Sequence, residues 1–252
     1  MTRKRLGLAL LMLAGVAAAP GGAAAAEIKL IGSPGVRALT NELIPGFEKA
    51  TGHKVVADYA VIAILKRRIA AGEAFDVVIP GPELIDELAK QGKVAAGTSA
   101  PFGRTGIGLA VRKGAPKPDI STADAFRRAM LDAKVVVHSR EGQSGVHFRE
   151  ALKRVGILEQ MEPKLRALGT EEYNAAAQKG EMDIIASGMG VVMEMPNVDF
   201  IGGLPPELQS YVKFSIGVSA GSKAPEAARA LVRYLTSPEV AATFRAKGME
   251  RD

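Results

Sequence analysis

The chain has 252 residues, 47% of them hydrophobic and 24% charged, with a formal net charge of +6; this is room for one large domain or two smaller ones, each with its own core. It has no cysteine, which excludes a disulfide framework and a cysteine-based zinc site. Lys and Arg are scattered among Asp and Glu with no basic stripe interleaved with aromatics, so nothing supports nucleic acid as a partner.

The first 26 residues predict a cleaved signal peptide. Arg3, Lys4 and Arg5 form a positive start, residues 6–19 an apolar run too short for a good membrane span, and Ala24-Ala25-Ala26 a small-residue cleavage site before Glu27. Ala19 is a second possible cleavage point. That segment carries three positive and no acidic residues, so its removal takes the charge from +6 to +3. No later stretch is long and apolar enough to span a bilayer.

From residue 27 onward strands and helices alternate. Strands are expected at 28–31, 54–58, 76–79, 107–111, 134–138, 183–186 and 213–219. Continuous apolar runs such as Val77-Val78-Ile79 and Val135-Val136-Val137 fit parallel strands covered on both faces. A first helix is interrupted by Pro45-Gly46, which predicts a kink or restart. Leu84, Leu88 and Val94 outline a helix after Pro80-Gly81-Pro82. Phe148, Ala151, Leu152 and Val155 repeat at helical spacing and Gly156 ends that helix. Ala228, Leu231, Val232 and Leu235 form another, followed by Ser237-Pro238 opening a last one that stops at Gly248. The alternation implies an α/β fold of right-handed βαβ units in open, mostly parallel sheets. Stretches 101–106 and 208–213 read as crossings between two lobes. They divide the chain into lobe 1 (27–103 plus 213–252) and an inserted lobe 2 (104–212).

Two loops stand out. Gly32-Ser33-Pro34-Gly35 follows the first strand and Gly142-Gln143-Ser144-Gly145 follows the strand around 134–138; each opens a helical segment. A small-residue turn there leaves the first helical N–H groups pointing outward, at the positive pole of the helix. Together these make an anion site without a charged side chain. In open α/β sheets such strand ends are where ligands bind.

The order of segments resembles the type II periplasmic solute-binding proteins of ABC importers, and within them the molybdate-binding family. The resemblance is carried by Ile44-Pro45-Gly46-Phe47-Glu48-Lys49-Ala50-Thr51-Gly52, by Ala71-Gly72-Glu73-Ala74-Phe75-Asp76-Val77-Val78-Ile79, by residues 145–156, by Lys179-Gly180-Glu181-Met182-Asp183, and by residues 224–249. It implies a two-lobed receptor that closes on a small anion and hands it to a permease in the inner membrane. It implies a protein that acts in the periplasm as a monomer and is not an enzyme, with no cofactor and no metal. The family's ligand serines fall on Gly35, with Ser33 close by, and on Ile62. Two further contacts fall on Ser144 and Thr170, and its ligand tyrosine falls on Gly188. Losing hydroxyls at Ile62 and Gly188 removes much of the chemistry for a tetrahedral oxyanion, and an apolar cleft suits an organic anion better. Molybdate or tungstate is the alternative ligand.

Other candidates come from position alone. Ser144 and Gly145 offer a hydroxyl and backbone N–H groups, and Ser139 and Tyr59 close the strands beside the loops. Arg104 at a crossing and Arg140 at the mouth of the second loop are the candidate carboxylate clamps. His147, in the first turn of a helix, is a candidate neutral donor, as is His138 at a strand end. Met182, Met189, Met193 and Met195 are read as core packing rather than a copper(I) site, with no His or Cys beside them. Gly142-Gln143-Ser144-Gly145-Val146 superficially resembles a hydrolase nucleophile elbow. Its fifth residue is not glycine, and the single downstream His is three residues away on the same helix. The competing classes are a sensory receptor subunit, which would use the same cleft, and a periplasmic enzyme, for which no base–nucleophile pair is visible.

Overall fold

The computed structural model describes residues 25–251; the expected signal peptide, up to residue 24, lies outside them. Among the described residues no helix is long and apolar enough to cross a membrane. The chain begins with β1 (Glu27–Gly32), α1 (Arg37–Thr51), β2 (Lys54–Tyr59), α2 (Ile62–Ala70), β3 (Val77–Ile79) and α3 (Pro82–Lys90). A 13-residue strand β4 (Ala100–Arg112) then leads into α4 (Ala123–Asp132), β5 (Val136–Ser139), α5 (Gln143–Arg154), α6 (Leu158–Met161), β6 (Leu165–Leu168), α7 (Glu172–Gln178), β7 (Ile184–Gly188), α8 (Met189–Val192) and β8 (Val198–Gly203). The return strand β9 (Tyr211–Val218) is followed by α9 (Pro225–Leu235), α10 (Ala241–Ala246) and β10 (Met249–Glu250).

The strand order is β2-β1-β3-β9-β4-β7-β5-β6, with β8 and β10 also on β4. Each half has the same plan. β1 lies between β2 and β3, all parallel, with β9 antiparallel to β3. β5 lies between β6 and β7, all parallel, with β4 antiparallel to β7. In both halves the strand order reverses at the central strand. The loops after β1 and β5 therefore stand at the switch points where open α/β sheets take ligands.

Alternation of side chains builds four cores, one on each face of each half. Ile28, Leu30, Val77 and Ile79 pack with Phe47, Leu231 and Phe214 on one face of the first half. Ile31 and Val78 pack with Leu65, Ile85 and Leu88 on the other. In the second half Val136, Ile184 and Ala186 face Phe126, Phe148 and Leu152, while Val137 and Ile185 face Tyr173, Met182 and Met195. Two-sided coverage is why these strands read as unbroken apolar runs.

The structure adds detail to two expectations. The first stretch read as a crossing, 101–106, is a paired strand segment, and the second, 208–213, runs into its partner strand β9. β4 and β9 run antiparallel from Ala100↔Ile216 to Gly106↔Tyr211, after which β4 continues into the second half beside β7. Pairing satisfies the backbone of both strands where it passes between the halves. The restart at Pro45 does not occur: α1 runs continuously through it. One backbone bond is lost there, and burial of Leu39, Leu43, Ile44 and Phe47 along the helix offsets that loss.

Candidate functional site

The first loop is shaped by what Ser33 does not do. Its N–H donates to the Ile79 carbonyl at 3.0 Å, which ties the loop to the end of β3. Its side chain makes no capping bond to the short 3-10 turn Pro34–Val36 that follows, so the hydroxyl is left for the cleft. Gly35 comes next because the Phe214 ring takes the space a side chain would fill: a Cβ there would lie 2.7 Å from Phe214 Cζ.

The second loop is tighter. Ser139 Oγ, at the end of β5, accepts the Gly142 N–H at 2.9 Å. Gly142 is extended (φ −92°, ψ 152°) and caps α5 without a side chain. The Gly145 N–H donates to the Gly142 carbonyl at 3.0 Å, and a Cβ on Gly145 would lie 1.9 Å from the Ser139 carbonyl oxygen. Gly145 thus lets the helix start press against the strand end, and its N–H is already used. The backbone donors heading α5 are those of Gln143 and Ser144, which have no acceptor within the helix.

Both loops open onto one cleft of about 610 Å3, the open space at its mouth included. Six hydroxyls line it, from Ser33, Thr105, Ser139, Ser144, Thr170 and Ser187. Phe214, Val212, Val61, Ile62 and Val191 supply its apolar wall, and Gly188 leaves room beside them. Among the described residues, Glu141 is the one ionisable side chain on that wall and no Lys, Arg or His lines it. A negative group here would be met by neutral donors and helix poles, not by a counter-charge.

Of the residues expected at the site, Ser33, Gly35, Ile62, Ser139, Ser144, Thr170 and Gly188 line this cleft. Tyr59 stands at its mouth with Gly169 and Ala60, its hydroxyl 2.6 Å from Thr40 Oγ1 and donating to Asn41 Oδ1 at 3.0 Å. Gly145 sits behind the wall. His147 is not on it, and burial pushes its imidazole below the usual histidine range. His138 is buried, with Nδ1 3.0 Å from the Ser139 carbonyl oxygen. Arg140 is taken up by Glu172 at 2.7 Å. Arg104 is held by Glu250 Oε2, at 3.1 and 2.9 Å, and stacks on Tyr211 at 4.2 Å; neither arginine lines the cleft.

A side chamber adjoins the cleft and shares Pro34, Thr170 and Val191 with it. Its further lining includes Arg37 from α1, Tyr173 and Asn174 from α7, and Glu194 just beyond α8. Sequence reasoning missed this chamber, and it missed Thr105, Ser187, Val212 and Phe214 in the main cleft.

A family model for the bacterial extracellular solute-binding proteins matches residues 28–250. The chain belongs to this family. The solute-binding protein is 31% identical over 231 residues to an aconitate isomerase of Pseudomonas sp., covering 88% of this chain and 87% of that one. Its fold is shared with the periplasmic molybdate-binding protein of Azotobacter vinelandii (TM-score 0.75, 14% identity, 89% and 99% of the two chains). The sulfate-binding protein of Mycobacterium tuberculosis H37Rv shares it too (TM-score 0.69, 20% identity, 90% and 87%). Two-lobed periplasmic binding proteins are thus its structural neighbours, as its two-half plan predicts.

Proposed function

We propose that this solute-binding protein captures a small organic anion bearing a carboxylate, closes its lobes (27–103 plus 213–252, and 104–212) on it, and delivers it to an ABC permease. In this reading it acts in the periplasm, as a monomer, after export and cleavage following Ala26. The observation that carries the proposal is the mixed lining of the cleft. Hydroxyls and backbone donors at Ser33 and at Gln143-Ser144 suit a carboxylate, and Phe214, Val212 and Ile62 suit a carbon skeleton. A bare tetrahedral oxyanion has no use for that apolar wall. Lobe closure then completes the site by hinge motion of the paired β4 and β9 strands. Thermal shift against a panel of organic acids and oxyanions tests it through stabilisation by the bound ligand. Stabilisation by carboxylates supports the proposal; stabilisation by molybdate or tungstate alone overturns it.

The relative named aconitate isomerase favours a second reading, in which a bound unsaturated polycarboxylate is also isomerised. Glu141 is the group on the wall that would take a proton from a methylene carbon and return it at the far end of the allylic system, shifting the double bond with no net change in atoms. Proton NMR of cis-aconitate incubated with the purified protein separates the readings: a second isomer appears only if the protein turns it over.

A further inference from the structure

The side chamber beside the main cleft contains a cation that makes no ion pair among the described residues. Arg37 opens α1, directly after the first loop, and its guanidinium lies over the Tyr59 ring with 5.3 Å to the centroid. Among the described residues no carboxylate lies within ion-pair distance of it. Lys29, Arg68, Arg140, Arg149 and Arg166, by contrast, all have acidic partners. The chamber also has a buried hydroxyl on the opposite lobe. Tyr173 is 1% exposed, and its hydroxyl has no hydrogen-bond partner in the structure. The residue lines the chamber wall, and the Ser139 and Ser187 hydroxyls of the main cleft lie near enough to draw its phenol down against the effect of burial. Glu194 stands in the same wall, and burial holds its carboxyl above the usual carboxylate range despite Arg37 and Lys247.

We infer that the side chamber is a second anionic subsite, and that the solute is a di- or tricarboxylate spanning both compartments. This rests on the proposed function and narrows it. One carboxylate takes the neutral donors of Ser33, Gln143 and Ser144. The carbon chain passes the shared residues Pro34, Thr170 and Val191, and a distal carboxylate reaches the Arg37 guanidinium from one lobe and the Tyr173 hydroxyl from the other. The charge pattern requires this order. Among the described residues the inner cleft has no cation and already holds Glu141, so the second negative charge goes where the guanidinium is. A planar guanidinium fits a carboxylate with two parallel N–H donors, and a ligand touching Arg37 and Tyr173 together also holds the lobes closed.

Isothermal titration with butyrate, succinate, tricarballylate and molybdate tests the inference on the wild-type protein and on Arg37→Met, which keeps a long side chain against Tyr59. The wild type is expected to bind succinate or tricarballylate at least about 30-fold more tightly than butyrate, the low end for a half-buried charge pair. Arg37→Met is expected to remove that preference and leave butyrate unchanged. Equal binding of mono- and dicarboxylates by the wild type overturns the inference while the proposed function stands. So does an Arg37→Met variant that keeps the preference. Binding of molybdate with no carboxylate overturns both. The wild-type comparison decides even if the variant does not fold, and the ligand-free melting curve shows whether it does.

Discussion

Replacing Gly145 by alanine tests how the second loop is built. The added Cβ would start 1.9 Å from the Ser139 carbonyl oxygen and 2.9 Å from its carbon, whereas a relaxed contact of this kind needs more than 3 Å. The obstacle is backbone at the end of β5, between β6 and β7, so it cannot rotate aside. The start of α5 must instead retreat by over an ångström, and the Gly145 N–H bond to the Gly142 carbonyl is strained with it. Overpacking of this kind costs about 1–3 kcal/mol, and the damaged turn adds about 1 kcal/mol. For a protein of this size that lowers the melting temperature by about 5–12 °C. Gly142→Ala is the control: there the obstacle is the rotatable Ser139 hydroxyl at 2.6 Å, and about half the loss is expected. Differential scanning calorimetry of the two variants reads the ratio. A Gly145→Ala protein that melts with the wild type, or one hurt no more than Gly142→Ala, refutes the reasoning.

Ser144→Ala removes one neutral donor from the cleft and is expected to weaken carboxylate binding by about 1–2 kcal/mol in a titration, with little change in melting temperature. Arg104→Ala is expected to leave ligand affinity unchanged, because Glu250 and Tyr211 occupy that guanidinium; a large loss of affinity would return it to the site. Glu73 is pulled down to about 2 by Arg68 first and then Lys29, so it stabilises the fold above the ordinary carboxylate range and that contribution fades as pH falls toward 2. Glu73→Gln is expected to cost about 1 kcal/mol at pH 7 in urea unfolding, discounted for partial exposure, and to cost nothing near pH 2. Glu194 behaves in the opposite sense. Its folded carboxyl titrates above the unfolded one, so its contribution to stability is lost as pH rises through that window. Glu194→Gln is expected to abolish that pH-dependent loss of stability in urea unfolding.

Much of the architecture was legible because local signals agreed with the global plan. Val77-Val78-Ile79 is apolar because both faces are covered, and the two glycine-rich loops mark the ends of the central strands. The edge strand β6 was hidden: Leu165-Arg166-Ala167-Leu168 is half exposed and follows no clear alternation. β10 is two residues long and exists only through its pairing with β4. The cleft was half legible. Loop residues such as Ser33 and Ser144 announce themselves through helix starts, whereas Thr105, Ser187 and Phe214 sit in strands with no local sign of which lobe they will face. Arg104 looked available because its partner, Glu250, is 146 residues away in sequence. Gly145 was counted as a donor because the turn bond that uses its N–H is a three-dimensional fact. Arg37 carries no local sign of a role in the sequence, and only the opposing walls of the side chamber, from α7 and the segment after α8, give it one.

Hydrogen exchange with and without the most stabilising carboxylate of the panel tests the central claim most directly. One ligand gripped by both lobes predicts protection of the peptides containing Ser33–Gly35 and Gln143–Ser144 together, with the same dependence on ligand concentration. Protection confined to one loop, or saturating at different concentrations in the two, would contradict a shared site.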